Sequence, residues 1–285
     1  MNNKSIIPYS SIDENKIIFP SDEESSIIGT YLSQIDKFDT LVKSFQITNF
    51  NFHQIFYHFT MRADDTLIRT NGLPSDDFIL INTLLINYLS TSKMFIDIVE
   101  HFDNSLYDDI HSFTSNKYDS SFYYQLMTEL RNFSLHGHLP VYYNDNRYSF
   151  NLHYILEEGK KYNFNKTRKA KIKKISQQIR EKHNDIANIS FSRTLVEYHK
   201  VIIEIFEHFF TINTPNFSKE YDNFRKIIDK YKDKEQDDSV CMLLEDSLHI
   251  VNTSDEMIES FNNEHSNANR FLKGHIKNFR DILQD

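Results

Sequence analysis

Behind Ser21-Asp22-Glu23-Glu24, the apolar residues Ile27, Ile28, Tyr31, Leu32, Ile35, Phe38, Leu41, Val42 and Phe45 recur at helical spacing. A Ser three residues before a Glu has the form of a capping box, so the run has a start signal as well as a period. Such a long amphipathic helix can bury its stripe only against other elements, and the composition says which kind. With 5 Gly and 5 Pro in 285 residues, the chain has few turn signals for a many-stranded sheet, and helices are the expected partners. It has no Trp but 24 Phe and 16 Tyr, which predicts a core of aromatics and Ile/Leu. The lone Cys241 excludes a disulfide framework and a Cys-based zinc site and suggests a reducing compartment. At the N-terminus, Met1–Ser5 leads into only a two-residue apolar patch at Ile6-Ile7, too short for a signal-peptide core. With no run of about 20 apolar residues to span a membrane either, a cytoplasmic protein is expected.

Further along, Asn71-Gly72-Leu73-Pro74 breaks the pattern and Ser75-Asp76-Asp77 starts a helix reaching about Phe102. Its apolar positions, Ile79, Leu84, Leu85, Tyr88, Leu89, Phe95, Ile98, Val99 and Phe102, are wide enough for burial on more than one side. A shorter helix is expected at Tyr107–Phe113. Asp119-Ser120 then caps a helix carrying Phe122, Tyr123, Leu126, Leu130 and Phe133. Gly137 and Pro140 form its stop signal, which places His136 in or near the last turn. Asn144-Asp145-Asn146 sits between two alternating Tyr/Phe stretches and predicts a small β-hairpin over Val141–Leu152, an insertion standing alone. An apolar helix from about Ile186 should end near Asn213-Thr214-Pro215. Tyr221 to Tyr231 marks another helix, and Met257 to Leu283 a weaker one. The expected architecture is mainly α, a helical bundle with a small β-hairpin insertion and extra N- and C-terminal helices. The expected divisions are an N-terminal helical extension over 1–74, a helical domain over 75–215 and a C-terminal helical region over 216–285.

One short stretch carries chemistry: Arg131-Asn132-Phe133-Ser134-Leu135-His136, followed by Gly137-His138-Leu139-Pro140. An Arg four to six residues before a His is cheap, because 13 His give each Arg roughly a one-in-seven chance of a match. Arg147 to His153, Arg193 to His199 and Arg270 to His275 fit the same loose form. What sets Arg131 to His136 apart is the Asn directly after the Arg, the place at the end of an aromatic-rich helix, and the His-Gly-His tail. Spacing alone leaves open an Arg and a His that merely complement the helix dipole and cap its carbonyls.

The segment Tyr124–Pro140 resembles the Arg-Asn-x-x-x-His region of HEPN-superfamily ribonucleases of bacterial defence and toxin systems, and the helix order is similar from about Asp76 to Thr214. The resemblance implies a HEPN-like helical bundle, usually dimeric, that cuts RNA without a metal or other cofactor. Arg131, Asn132 and His136 are then the catalytic candidates, with the motif residues of two copies meeting in one cleft. Their chemistry fits. A His that titrates near neutral pH can take a proton from the ribose 2′-OH or return one to the leaving oxygen, and Arg131 can stabilise charge developing on the phosphate. On a straight helix, Asn132 and His136 share a face, whereas Arg131 and His136 lie about 140° apart. Asn132 is therefore expected to orient His136, and Arg131 to reach a site shared with a second subunit through a homodimer of motif helices.

From Lys160 to Lys182 ten basic residues face one acid, a net +9, so in a chain of net −9 the remainder carries −18. This run suits a phosphate backbone, and Lys166, Arg168, Lys169, Lys171, Lys173 and Lys174, with His138 beside the motif, are the RNA-binding candidates. Solvated helix faces carry such runs too. No metal site is expected, since His53, His58, Glu197, His199, Glu204 and His208 lie on apolar helices without a recognised ligand pattern. The expected function is a metal-independent endoribonuclease acting in phage defence or as the toxin of a toxin–antitoxin pair, with RNA, a second copy and an antitoxin or defence protein as partners. A non-catalytic HEPN-like module binding RNA or protein is the alternative.

Overall fold

A computed structural model of the chain describes residues 5–8, 20–63, 74–103, 105–144, 147–161, 170–171, 173–178, 189–231, 239–244 and 247–252. The fold is mainly α with small antiparallel sheets. In chain order the elements are β1 (Ser5–Pro8), α1 (Asp22–Ala63), α2 (Pro74–Glu100), α3 (Tyr107–Ser120), α4 (Phe122–Ser134), β2 (Val141–Asn144), β3 (Arg147–Phe150), α5 (Leu152–Lys161), β4 (Ile189–Ser190), α6 (Phe191–Tyr231), β5 (Ser239–Leu244) and β6 (Ser247–Asn252). The chain divides into two compact units, one of residues 1–42 and 209–264, the other of 43–208 and 265–285. These divisions fall inside α1 and α6 instead of at the expected 74/75 and 215/216, so residues 43–63 group with the motif-bearing helices.

In the first unit, α1 starts at the expected capping box: Ser21 N–H donates to Glu24 Oε2 at 2.9 Å, and Glu24 N–H to Ser21 Oγ at 3.2 Å. Tyr31 stacks on Phe224 at 4.2 Å, Phe38 lies 4.7 Å from Phe217, and Lys230 Nζ bonds Glu24 Oε1 at 2.7 Å. The expected helix end at Asn213–Pro215 is overturned, because α6 runs through Pro215. Phe209, Asn213, Phe217, Tyr221 and Phe224 form one buried stripe across it, and that burial outweighs the roughly 3 kcal/mol a proline takes from a helix interior. Asn213 keeps its amide within the helix, donating to Phe209 O at 2.9 Å. The terminal regions are also not purely helical as expected. β1, β5 and β6 form an antiparallel sheet, with Ile7 opposite Cys241 and Cys241 opposite Ile250. Short aliphatic runs on either side of Glu245-Asp246 suit a hairpin better than a helix. The expected helix over Met257–Leu283 lies outside the described residues.

In the second unit α1, α2 and α6 meet through aromatics. Phe45 stacks on Phe206 at 3.9 Å, Phe95 lies 5.3 Å from Phe45, and Phe52 stacks on His199 at 3.8 Å. The expected face of α2 is largely buried, although Ile79 is exposed and Ile81 takes its place in the core. Phe78–Glu100 is long and apolar enough to cross a membrane by length and composition, a longer apolar segment than the sequence reading found. Leu85, Tyr88, Leu89, Phe95 and Val99 on it are spent on this core. α3 extends to Ser120, past the expected Phe113, and Ser121 ends it and starts α4, accepting Tyr124 N–H at 3.2 Å. The hairpin β2–β3 forms as expected, but it does not stand alone: β4 pairs with β3, Phe150 opposite Ile189, to make a three-stranded sheet.

Candidate functional site

α4 is short and largely buried, with Tyr124, Gln125, Leu126, Met127, Glu129, Leu130 and Phe133 all in the interior. Arg131 and Asn132 lie in its last turn, both half-buried. The helix ends at Ser134. Leu135 N–H still reaches Arg131 O at 3.0 Å, but His136 N–H goes to Phe133 O at 3.2 Å and Gly137 N–H to Ser134 O at 2.9 Å. The i to i−3 bonds tighten the chain into a 3₁₀-like turn, and Gly137 leaves it at φ 83°, the left-handed region where glycine is favoured. His136 therefore stands on the turn beyond the α-helix. The α-helix itself ends at Ser134, so the turn sets the backbone position of His136.

His136 is exposed between Leu135, 61% exposed, and Leu139, 39% exposed. His138 points the other way. It is buried and its ring stacks on Phe133 at 4.5 Å, with 21° between the planes, so the expected contact with RNA is replaced by packing. Past it, Val141 is held by Asn82 of α2: Val141 N–H donates to Asn82 Oδ1 at 2.9 Å, and Asn82 Nδ2 donates to Val141 O at 3.3 Å and to Phe78 O at 2.9 Å. Asn82 is fully buried, and a lone amide on the apolar face of α2 was the sequence signal that it had a partner elsewhere.

Arg131 brings a permanent charge to the edge of the core, with Nε buried and, among the described residues, without a hydrogen-bond partner. Its charge is felt by Tyr198 of α6. Burial pushes the Tyr198 phenol well above the ordinary value, while a hydrogen bond with Ser92 and the Arg131 charge pull the other way. Tyr198 lies 5.7 Å, ring to ring, from Tyr124, which burial also pushes up.

Of the basic run, Lys166, Arg168 and Lys169 lie outside the described residues. Lys171 is exposed, with Nζ 3.3 Å from Tyr118 Oη and 5.4 Å from that ring's centroid. Lys173 and Lys174 are exposed in the helical residues 173–178, where Ile175 and Ser176 are buried.

The rival Arg193–His199 pair is divided between surface and core. Arg193 is exposed, but His199 is buried, bonded through Nδ1 to Tyr88 Oη at 2.9 Å, and lowered to about 3 by burial first and by His53 second. A ring so held stays neutral at ordinary pH and cannot exchange protons with solvent-borne RNA. His153 is exposed, and Arg270 and His275 lie outside the described residues. Among the described residues no three His, Cys, Asp or Glu side chains gather as metal ligands would, and His208 stacks on Phe113 at 3.8 Å. None of the protein-family models, curated proteins or solved structures compared with this chain matches it.

Proposed function

We propose that this chain is a metal-independent endoribonuclease of HEPN type, acting as a homodimer in phage defence or as the toxin of a toxin–antitoxin pair. The observation that carries the reading is the exposure of His136 on a turn directly behind the helix end that bears Arg131 and Asn132. An exposed imidazole there can accept the proton of a ribose 2′-OH as that oxygen attacks the adjacent phosphorus. Expulsion of the 5′-oxygen, with a proton returned to it, leaves a 2′,3′-cyclic phosphate and a 5′-OH. Arg131, always charged, would stabilise the non-bridging phosphate oxygens as charge builds on them. Each chain has one copy of the motif, and Leu135 and Leu139 give His136 an apolar rim suited to a second copy. Lys171, Lys173 and Lys174 would add salt-sensitive affinity for the backbone.

The reading is tested by incubating single-stranded RNA with purified protein in EDTA. Cleavage is expected, and His136→Ala should reduce it by about 10²-fold or more with fold and dimer intact. Undiminished cleavage in that variant would sink it. The half-buried Arg131, whose Nε is buried, favours a second reading, a non-catalytic module in which Arg131 is structural. Induced expression in a bacterial host separates the two: growth arrest relieved by Arg131→Ala supports the enzyme, and no arrest supports the module.

A further inference from the structure

The turn that presents His136 is anchored at both ends by buried contacts. On one side the ring of His138 folds back on Phe133, one residue before the helix end, at 4.5 Å. On the other, Asn82 grips both backbone polar groups of Val141, at 2.9 and 3.3 Å. Between these anchors lie the exposed residues His136, Gly137 and Leu139 and the positive φ of Gly137. The six-residue loop 135–140, closed in this way, has little freedom left, although its apex is open to solvent. Its order comes from side chains that face inward.

We infer that His138 is a positioning residue for His136. Its ring, stacked on Phe133, and the Asn82–Val141 bonds preset the turn so that the His136 imidazole is held in place before RNA arrives. This rests on the reading of His136 as the proton-transferring group. A shift of about 1 Å in a reacting group can lower a rate about 100-fold, so a loosened turn should act on the chemical step and not on affinity. His138 contributes a flat ring that stacks on Phe133. Phenylalanine can supply the same surface.

The test uses His138→Ala and His138→Phe in the full chain. RNA cleavage is followed for kcat and KM, and hydrogen–deuterium exchange is read at the amides of residues 135–139. For His138→Ala, kcat should fall about 10- to 100-fold with KM within about twofold, and exchange in the turn should quicken. His138→Phe should restore both. Should the alanine variant fail to fold, His138→Leu, which keeps bulk without a planar ring, takes its place with the same expectations. A raised KM with unchanged kcat would mark His138 as an RNA contact and overturn the inference, as would failure of His138→Phe to restore the rate. If the wild-type chain cleaves no RNA, the ribonuclease reading falls by itself. The exchange arm still decides the turn, because unchanged exchange in His138→Ala overturns its preset geometry, and faster exchange reversed by phenylalanine upholds it.

Discussion

The hydroxyl of Tyr88 stands 2.9 Å from Nδ1 of His199, joining α2 to α6 in the buried centre of the second unit, with Phe52 stacked on the imidazole from α1. This pair takes the His of one rival Arg–His spacing, Arg193–His199, and uses it for packing.

A pH dependence follows. The folded value of His199 is lowered to about 3, chiefly by burial, below its ordinary 6.5. The unfolded chain therefore binds the proton first, and stability from this group is complete above about pH 6.5. It is lost as pH falls from there toward 3, by about 1.4 kcal/mol per pH unit. Urea titrations at pH 7, 6 and 5 should show the decline. His199→Leu should be less stable at pH 7 but have a flatter slope, and an unchanged slope would assign the acid sensitivity elsewhere.

Gly137→Ala isolates backbone strain. A Cβ at this position meets nothing within 4 Å, so the only penalty is the positive φ of 83°. Stability should drop by about 1 kcal/mol. RNA cleavage should fall further than that loss alone would predict, because the residue adjoins His136. Denaturant melts paired with cleavage rates at a temperature where both proteins are folded check this.

Asn82→Ala should cost about 2–4 kcal/mol. It removes hydrogen bonds to Val141 and Phe78, leaves the Val141 N–H unsatisfied in the core, and opens a small cavity. Equilibrium unfolding measures it. A loss under about 0.5 kcal/mol would show that water replaces the amide without penalty.

Pro215→Ala distinguishes a continuous α6 from a chain division. Pro215 is exposed, and alanine would add the missing N–H within the helix without disturbing the buried stripe. The variant should be more stable by about 1–3 kcal/mol, as read from its thermal midpoint. A neutral or destabilising effect would argue for a break at this residue.

What could be read in advance was local. The Ser21–Glu24 capping box, the helix from Pro74 to Glu100, the β2–β3 hairpin and the Gly137 stop each depend on partners a few residues away, so their chemistry is written side by side in the chain. The motif's context and its family resemblance, not its spacing, marked Arg131, Asn132 and His136 as candidates, while His138 was expected to meet RNA and Asn82 went unmentioned. Those two were decided by tertiary structure: His138 by the burial of its ring against Phe133, Asn82 by a backbone 59 residues away. The same holds for α6. Pro215 reads as a helix end because its missing N–H is a local fact, and the helix continues because Phe209, Phe217 and Tyr221 are buried on a common face, a gain that exists only once the chain has folded. Backbone hydrogen bonding over short spans is encoded by neighbouring residues, whereas burial depends on which distant surfaces arrive.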